Sequence, residues 1–440
     1  MGKNKKLFIA FYAVLLSSLG NAQQVWTLKS CIDTAFKKNI SLNQEQLGSQ
    51  INKINLTQSK AGLLPNLNVN DAHSLNYGNS YDPYTYQYSN KAFTNNSLSL
   101  NSSVTLFNGF FLLNTVRQNK LLYEAGMLDV EKTKNDIMLN VLAGYMQVLM
   151  DYEAIAVAQA QVEATKTEVG ETQKFVDFGK VAELSLLQIQ SQLASDKLVK
   201  INAENQLQLD KLTLLQLMET PVRSDFDIER QELGVLFPEI PLSTEEIDKI
   251  SLSFLPQIKS ASMKTDASLF SLKMAKSGWL PKLLLGGALK TGYSSLNSEL
   301  LSDQFKNNYS QVITFTLSVP IFDNFIVKSS VAIAKINVMN AQLNEQQTKN
   351  DLRKNIETVY TNQVLAGKKL SAIEEQMDLE TRTYTDMKKK YTVGAIDATD
   401  FLIEKNNYNK AAMSLIQAKY DYVLKVKMVD FYLGKPLTFK

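Results

Sequence analysis

A constant offset of 215 residues runs through this chain and limits what it can fold into. Leu106-Phe107-Asn108-Gly109-Phe110 is answered by Ile321-Phe322-Asp323-Asn324-Phe325, Thr133-Lys134-Asn135-Asp136 by Thr348-Lys349-Asn350-Asp351, and Gly179 by Gly394. Two proline-free stretches, 107–220 and 322–435, end at Pro221 and Pro436. A duplication without gaps over that length preserves the length of an element, as a rod or a barrel stave requires.

Segment 1–22 reads as a secretory signal, with Lys3, Lys5 and Lys6 ahead of a short apolar run and Gly20-Asn21-Ala22 as a cleavage site. Without those three lysines the formal net charge falls from +3 to about 0, so nucleic acid is not an expected partner. Cys31 is the only cysteine, which excludes an intrachain disulfide and marks it as a small buried helix residue. No mature stretch of 18 residues is predominantly apolar, so entry into a membrane falls to strands.

Four segments alternate with period two, at about 66–78, 95–107, 282–293 and 310–322. Ile313, Phe315, Leu317, Val319 and Ile321 share one face of the last; Leu98, Leu100, Val104 and Leu106 share one face of its counterpart. Their other faces carry small Ser, Thr and Asn, which suits a wet lumen better than the core of a soluble sandwich. The first strand reads as weak, broken by Asp71 and His73. Long helices follow, from Asn108 to about Phe178 and from Ala182 to Met218. Val141, Val148, Ile155, Val162, Val169 and Val176 form a seven-residue seam along the first of these. The second copy has Ile356, Gln363, Leu370, Met377, Tyr384 and Tyr391 in that column. The turns fall at Gly179-Lys180 and Gly394-Ala395, where glycine can end a helix.

The organisation is a first repeat at 23–220, a connector at 221–253 and a second repeat at 254–440. In the connector 225–229 is a short strand, and Ser243 with Glu246 forms a capping box. Each repeat is a helix, two strands, a long helix, a turn and a returning helix, a mixed α/β arrangement. Four strands cannot close a barrel in hydrocarbon, so two chains would supply eight strands or three chains twelve. His73 and Cys31 have no spaced partners for a metal site or a nucleophile, so no enzyme, cofactor or metal is expected.

These features resemble the TolC-like outer-membrane efflux family. The resemblance rests on the duplication, Gly62-Leu63-Leu64-Pro65 with Gly278-Trp279-Leu280-Pro281, the Phe-Asn and Phe-Asp junctions back to helix, both glycine turns, and the start from Trp26 to Asn39. The family's proline after that asparagine is Ile40 here, while the second copy keeps Pro256. The resemblance implies a homotrimer with a twelve-stranded barrel in the outer membrane of a Gram-negative cell, continued by a periplasmic α-helical barrel. It implies a passive export duct linked by a periplasmic adaptor to an inner-membrane transporter of RND or ABC type. A periplasmic coiled-coil scaffold without channel activity is the alternative.

By the same resemblance, Gly179, Lys180, Gly394 and Ala395 form the tip that meets the adaptor. Tyr391, three before the second glycine, and Asp400, six after it, belong to the gate and its constriction. The first copy has Ser185 where Asp400 would be matched, so Glu183 or Glu404 would have to contribute any further carboxylates. Ile396 stands where the family has a gate arginine, with Lys388 to Lys390 as loose substitutes.

Overall fold

Glycines and prolines set where the elements end. The computed structural model describes residues 25–222, 225–230 and 242–437; the signal at 1–22 and Pro238 and Pro241 of the connector lie outside them. The helices are α1 (Leu28–Lys38), α2 (Ile40–Ala61), α3 (Phe111–Asp177), α4 (Glu183–Leu217), α5 (Thr244–Phe254), α6 (Pro256–Lys276), α7 (Leu301–Asn307), α8 (Ile326–Thr392) and α9 (Ala398–Tyr432). The strands are β1 (Val25–Trp26), β2 (Asn66–Asn76), β3 (Ser80–Asp82), β4 (Gln87–Ser89), β5 (Phe93–Asn108), β6 (Asp227–Ile228), β7 (Lys282–Ser294) and β8 (Ser310–Ser318).

The duplication persists residue for residue. Helices α3 and α8 are both 67 residues long, roughly 100 Å each at the standard rise, and α4 and α9 are both 35. They start later than Asn108 because the junctions before them are left-handed. Gly109 and Phe110 have φ of 63° and 65°, and Asn324 and Phe325 have 54° and 63°.

Compactness divides the chain differently from the repeats, because each unit takes segments from both copies. One unit holds Glu45–Asp129 and Pro256–Thr348. The other holds the described residues of Met1–Gln44, Val130–Leu255 and Lys349–Lys440.

In the first of these units, an antiparallel sheet runs in the order β2-β5-β7-β8. The segment β2 is unbroken, contrary to the sequence reading, because Asn96 Nδ2 on β5 donates to Asp71 Oδ1 across the pair. At the other edge β8 stops at Ser318 rather than continuing to 322, where Pro320 offers no backbone donor. The loop between β2 and β5, which carries Tyr77, Tyr81, Tyr84, Tyr86 and Tyr88, contains the hairpin β3–β4, with the Tyr81 and Tyr88 rings 5.4 Å apart.

The core of the other unit gathers Cys31, Val141, Leu142, Tyr145, Val148, Leu214 and Ile228. Burial pushes the Cys31 thiol up to about 12, as befits an unreactive core residue. One 18-residue window of α3 is apolar enough for a membrane span by length and composition alone, contrary to the sequence reading. Half of that window is buried, and the seam residues Val141, Val148 and Val162 are among the buried side chains of α3. Within 225–229 only Asp227–Ile228 forms a strand, pairing in parallel with Val25–Trp26. The Tyr145 hydroxyl donates to the Glu229 carbonyl at 2.8 Å, and the Ser243–Glu246 capping box is formed.

Candidate functional site

Two places carry the candidate residues. The first is the sheet. Register puts Leu67 and Val69, Leu98 and Leu100, Leu285 and Leu289, and Phe315 and Leu317 on one face. The opposite face is mostly small and polar, with Asn68, Asn70, Ser99, Asn101, Gly286 and Thr314, and it also carries Leu284, Val312, Lys282 and Lys290. The apolar face is open: Ile313 is 77% exposed, and Leu67, Val69, Phe315 and Leu317 are exposed too. Covering five such side chains is worth roughly 8–15 kcal/mol, as much as the net stability of a whole domain, so water is not their medium. Among the described residues the only other sheets are two-stranded, so the chain does not cover this face as a sandwich would.

Aromatic residues mark the junctions from strand to helix. Phe107 and Phe110 meet edge to face at 5.4 Å, and Phe322 and Phe325 at 5.9 Å, so the packing repeats along with the backbone. The junctions are close-packed. A Cβ on Gly109 would lie 2.8 Å from Leu280 Cβ and 2.9 Å from the Ser277 carbonyl oxygen, and one on Gly278 would lie 2.7 Å from Val327 Cγ2.

The second place is the end of the long helices. Gly179 N donates to Val176 O and Lys180 N to Phe175 O, both at 2.8 Å. Gly394 N donates to Tyr391 O at 3.0 Å and Ala395 N to Lys390 O at 2.9 Å. Both are Schellman turns, with the glycines left-handed at φ 66° and 77° and open space where a side chain would go. Lys180 and Ala395 are exposed, as are Phe178 and Val393 beside the glycines.

Tyr391 is only 4% exposed. Its ring stacks on Phe401 at 4.8 Å, and its hydroxyl meets Thr172 Oγ1 at 2.9 Å, tying α8 to α9 and α3. Burial raises its pKa above the ordinary phenol value. Tyr384, one heptad earlier, stacks on Tyr408 at 4.8 Å and donates to Glu168 Oε1 at 3.0 Å. Asp400 is exposed in the first turn of α9, where its N–H donates to the N-cap Asp397 at 2.9 Å. The geometry thus gives Asp400 a helix-start role.

Sequence reasoning missed the most buried charges. Lys405, 1% exposed, bonds through Nζ to Thr165 Oγ1 and Glu168 Oε2, and Glu168 is 2% exposed. Thr165 also donates to Asp196 Oδ2 on α4, and Gln192 Nε2 bonds Asp196 Oδ1 at 2.7 Å and Asn406 Oδ1 at 3.1 Å. All four long helices meet in this network. Among the described residues, no group of three His, Cys, Asp or Glu is placed to hold a metal ion.

The family description "Outer membrane efflux protein" matches residues 31–219 and 251–435. The chain belongs to the outer membrane efflux protein family. It is an outer-membrane export channel of a Gram-negative bacterium. Among curated relatives, toxin and drug export protein A of Aggregatibacter actinomycetemcomitans is 22% identical over 337 residues, covering 74% of this chain and 69% of that protein. Outer membrane protein TolC of Escherichia coli (strain K12) is 22% identical over 440 residues, covering 98% and 86%. The solved structure of CusC superposes with a TM-score of 0.81 at 18% identity, over 93% of this chain and 92% of that one. The duplicated fold is that of these efflux channels.

Proposed function

We propose that three copies close a twelve-stranded barrel and act as a passive duct, with no reaction of their own. The observation that carries this is the sheet's two edges, β2 and β8, unpaired among the described residues, beside an open apolar face. Unpaired backbone groups are not tolerated in hydrocarbon, and four strands are too few to close. Helix α2 leads into β2 and carries exposed Leu47, Ile51 and Ile54; α8 follows β8 and carries exposed Ile333, Ile336 and Leu343. Pairing β2 of one copy with β8 of the next therefore also brings two apolar helix stripes together.

In this reading the turns at Gly179-Lys180 and Gly394-Ala395 meet a periplasmic adaptor that leads to an inner-membrane transporter of RND or ABC type. Exposed Phe178 and Val393 supply apolar contacts there. Tyr391 holds the tip helices in register, and Asp400 lines the constriction.

Planar-bilayer recording of the detergent-purified protein tests the duct: the oligomer conducts ions, and a conducting monomer contradicts the reading. Bulky residues at Gly179 and Gly394 abolish export at normal surface levels. Undiminished export by that double variant contradicts the docking assignment.

A further inference from the structure

We propose that Lys282 and Lys290 give the strand-lined part of the pore a preference for anionic over cationic solutes. The proposal rests on the channel reading above. Side chains alternate along a strand, and register fixes which ones share a face. Lys290 pairs with Ser99 on one side and Ser310 on the other; Lys282 pairs with Asn108 and Ser318. Both lysines therefore stand on the polar face among hydroxyls and amides. The other ionisable side chains of the four sheet strands, Asp71, His73 and the neutral phenol Tyr293, alternate onto the apolar face. Both lysines are exposed, and neither belongs to an ion pair among the described residues. Nothing in the sheet needs them, and an unpaired ammonium is tolerated only on a wet surface.

In a trimer the two lysines make two rings of three positive charges with no acid on the wall between them. They are eight residues apart, roughly 26 Å along the strand, which exceeds two Debye lengths at 0.1 M salt, so the rings act separately. Three ammonium groups about one Debye length from the axis shift the local anion-to-cation ratio roughly four-fold. Rings of Lys or Arg select anions in other pores for the same reason.

A cysteine at Ser310, the register partner of Lys290, reads this potential locally; the native Cys31 is fully buried. Its modification rates with anionic, cationic and neutral methanethiosulfonates are compared in outer-membrane vesicles, with and without Lys290→Gln. The expected result is faster reaction with the anionic reagent, a fall of roughly four-fold in the anionic-to-cationic rate ratio on Lys290→Gln, and an unchanged neutral rate. An unchanged ratio overturns the proposal, and so does a cysteine that no reagent reaches. In planar bilayers the Lys282→Gln/Lys290→Gln double variant shifts the reversal potential toward cation preference; a conducting double variant with the wild-type potential also counts against the proposal. A preparation that conducts nothing contradicts the duct reading instead, while the cysteine rates still decide the role of the lysines.

Discussion

Replacing Lys405 by methionine keeps the side-chain volume and removes the positive charge from a site that is 1% exposed. Glu168 then retains the Tyr384 hydroxyl at 3.0 Å and Lys388 Nζ at 3.8 Å, the latter on a half-exposed side chain. Removing one partner of a buried pair costs about 3–5 kcal/mol, and Lys388 offsets only part, so about 3 kcal/mol is expected. Unfolding of a chain this size is not all-or-none, so amide hydrogen exchange over 161–172 and 401–411 is the suitable assay. Exchange limited by local opening should accelerate roughly 150-fold for 3 kcal/mol. Lys405→Met/Glu168→Gln removes both charges yet keeps an acceptor for Tyr384, and should restore most of the protection. Lys405→Met exchanging within about three-fold of wild type, or a double variant as fast as the single one, would refute the reasoning.

Gly109→Ala adds a Cβ against Leu280 and the Ser277 carbonyl at a left-handed position, whereas Gly287 has open space around it. The first variant should fail to accumulate in the outer-membrane fraction on immunoblots, and Gly287→Ala should accumulate normally. Asp151, 4% exposed, has its carboxyl pushed up to about 8 by burial and then by the hydrogen bond and charge of Asp210. Its folded value exceeds its unfolded value, so its contribution is complete below pH of about 4 and is lost as pH rises to about 8, on the order of 5 kcal/mol at most. Thermal melts of Asp151→Asn should lack this decline between pH 5 and pH 8, and parallel profiles for the two proteins would contradict the assignment. Asp400→Asn should lower cation preference and weaken block by multivalent cations in single-channel recordings. Unchanged selectivity and block would leave Asp400 only its place in the first turn of α9.

Periodicity and spacing made the repeated elements legible. Gly109/Asn324 and Gly179/Gly394 sit in left-handed conformations at matched positions, which is why an offset visible in the sequence survives as equal helix lengths. Strand polarity was legible because one side chain in two faces each side of a sheet. Partners far apart in sequence were not. Lys405 and Glu168 are separated by 237 positions, and a lysine in a polar run of α9 reads as solvated. The interruption expected at Asp71 fails for the same reason, because its partner Asn96 lies across the strand pair. Val25–Trp26 has no strand signal apart from its pairing with Asp227–Ile228. The two compact units mix both copies, an outcome of packing that no local pattern encodes.

The most direct test of the central claim is native mass spectrometry of the protein extracted from outer membranes in detergent. Two edges unpaired among the described residues and an open apolar face require copies to close on one another. A particle of three chains, released by detergent and not by buffer, is the result this account predicts. A buffer-soluble protein, or a detergent-extracted particle with any other number of chains, would contradict it.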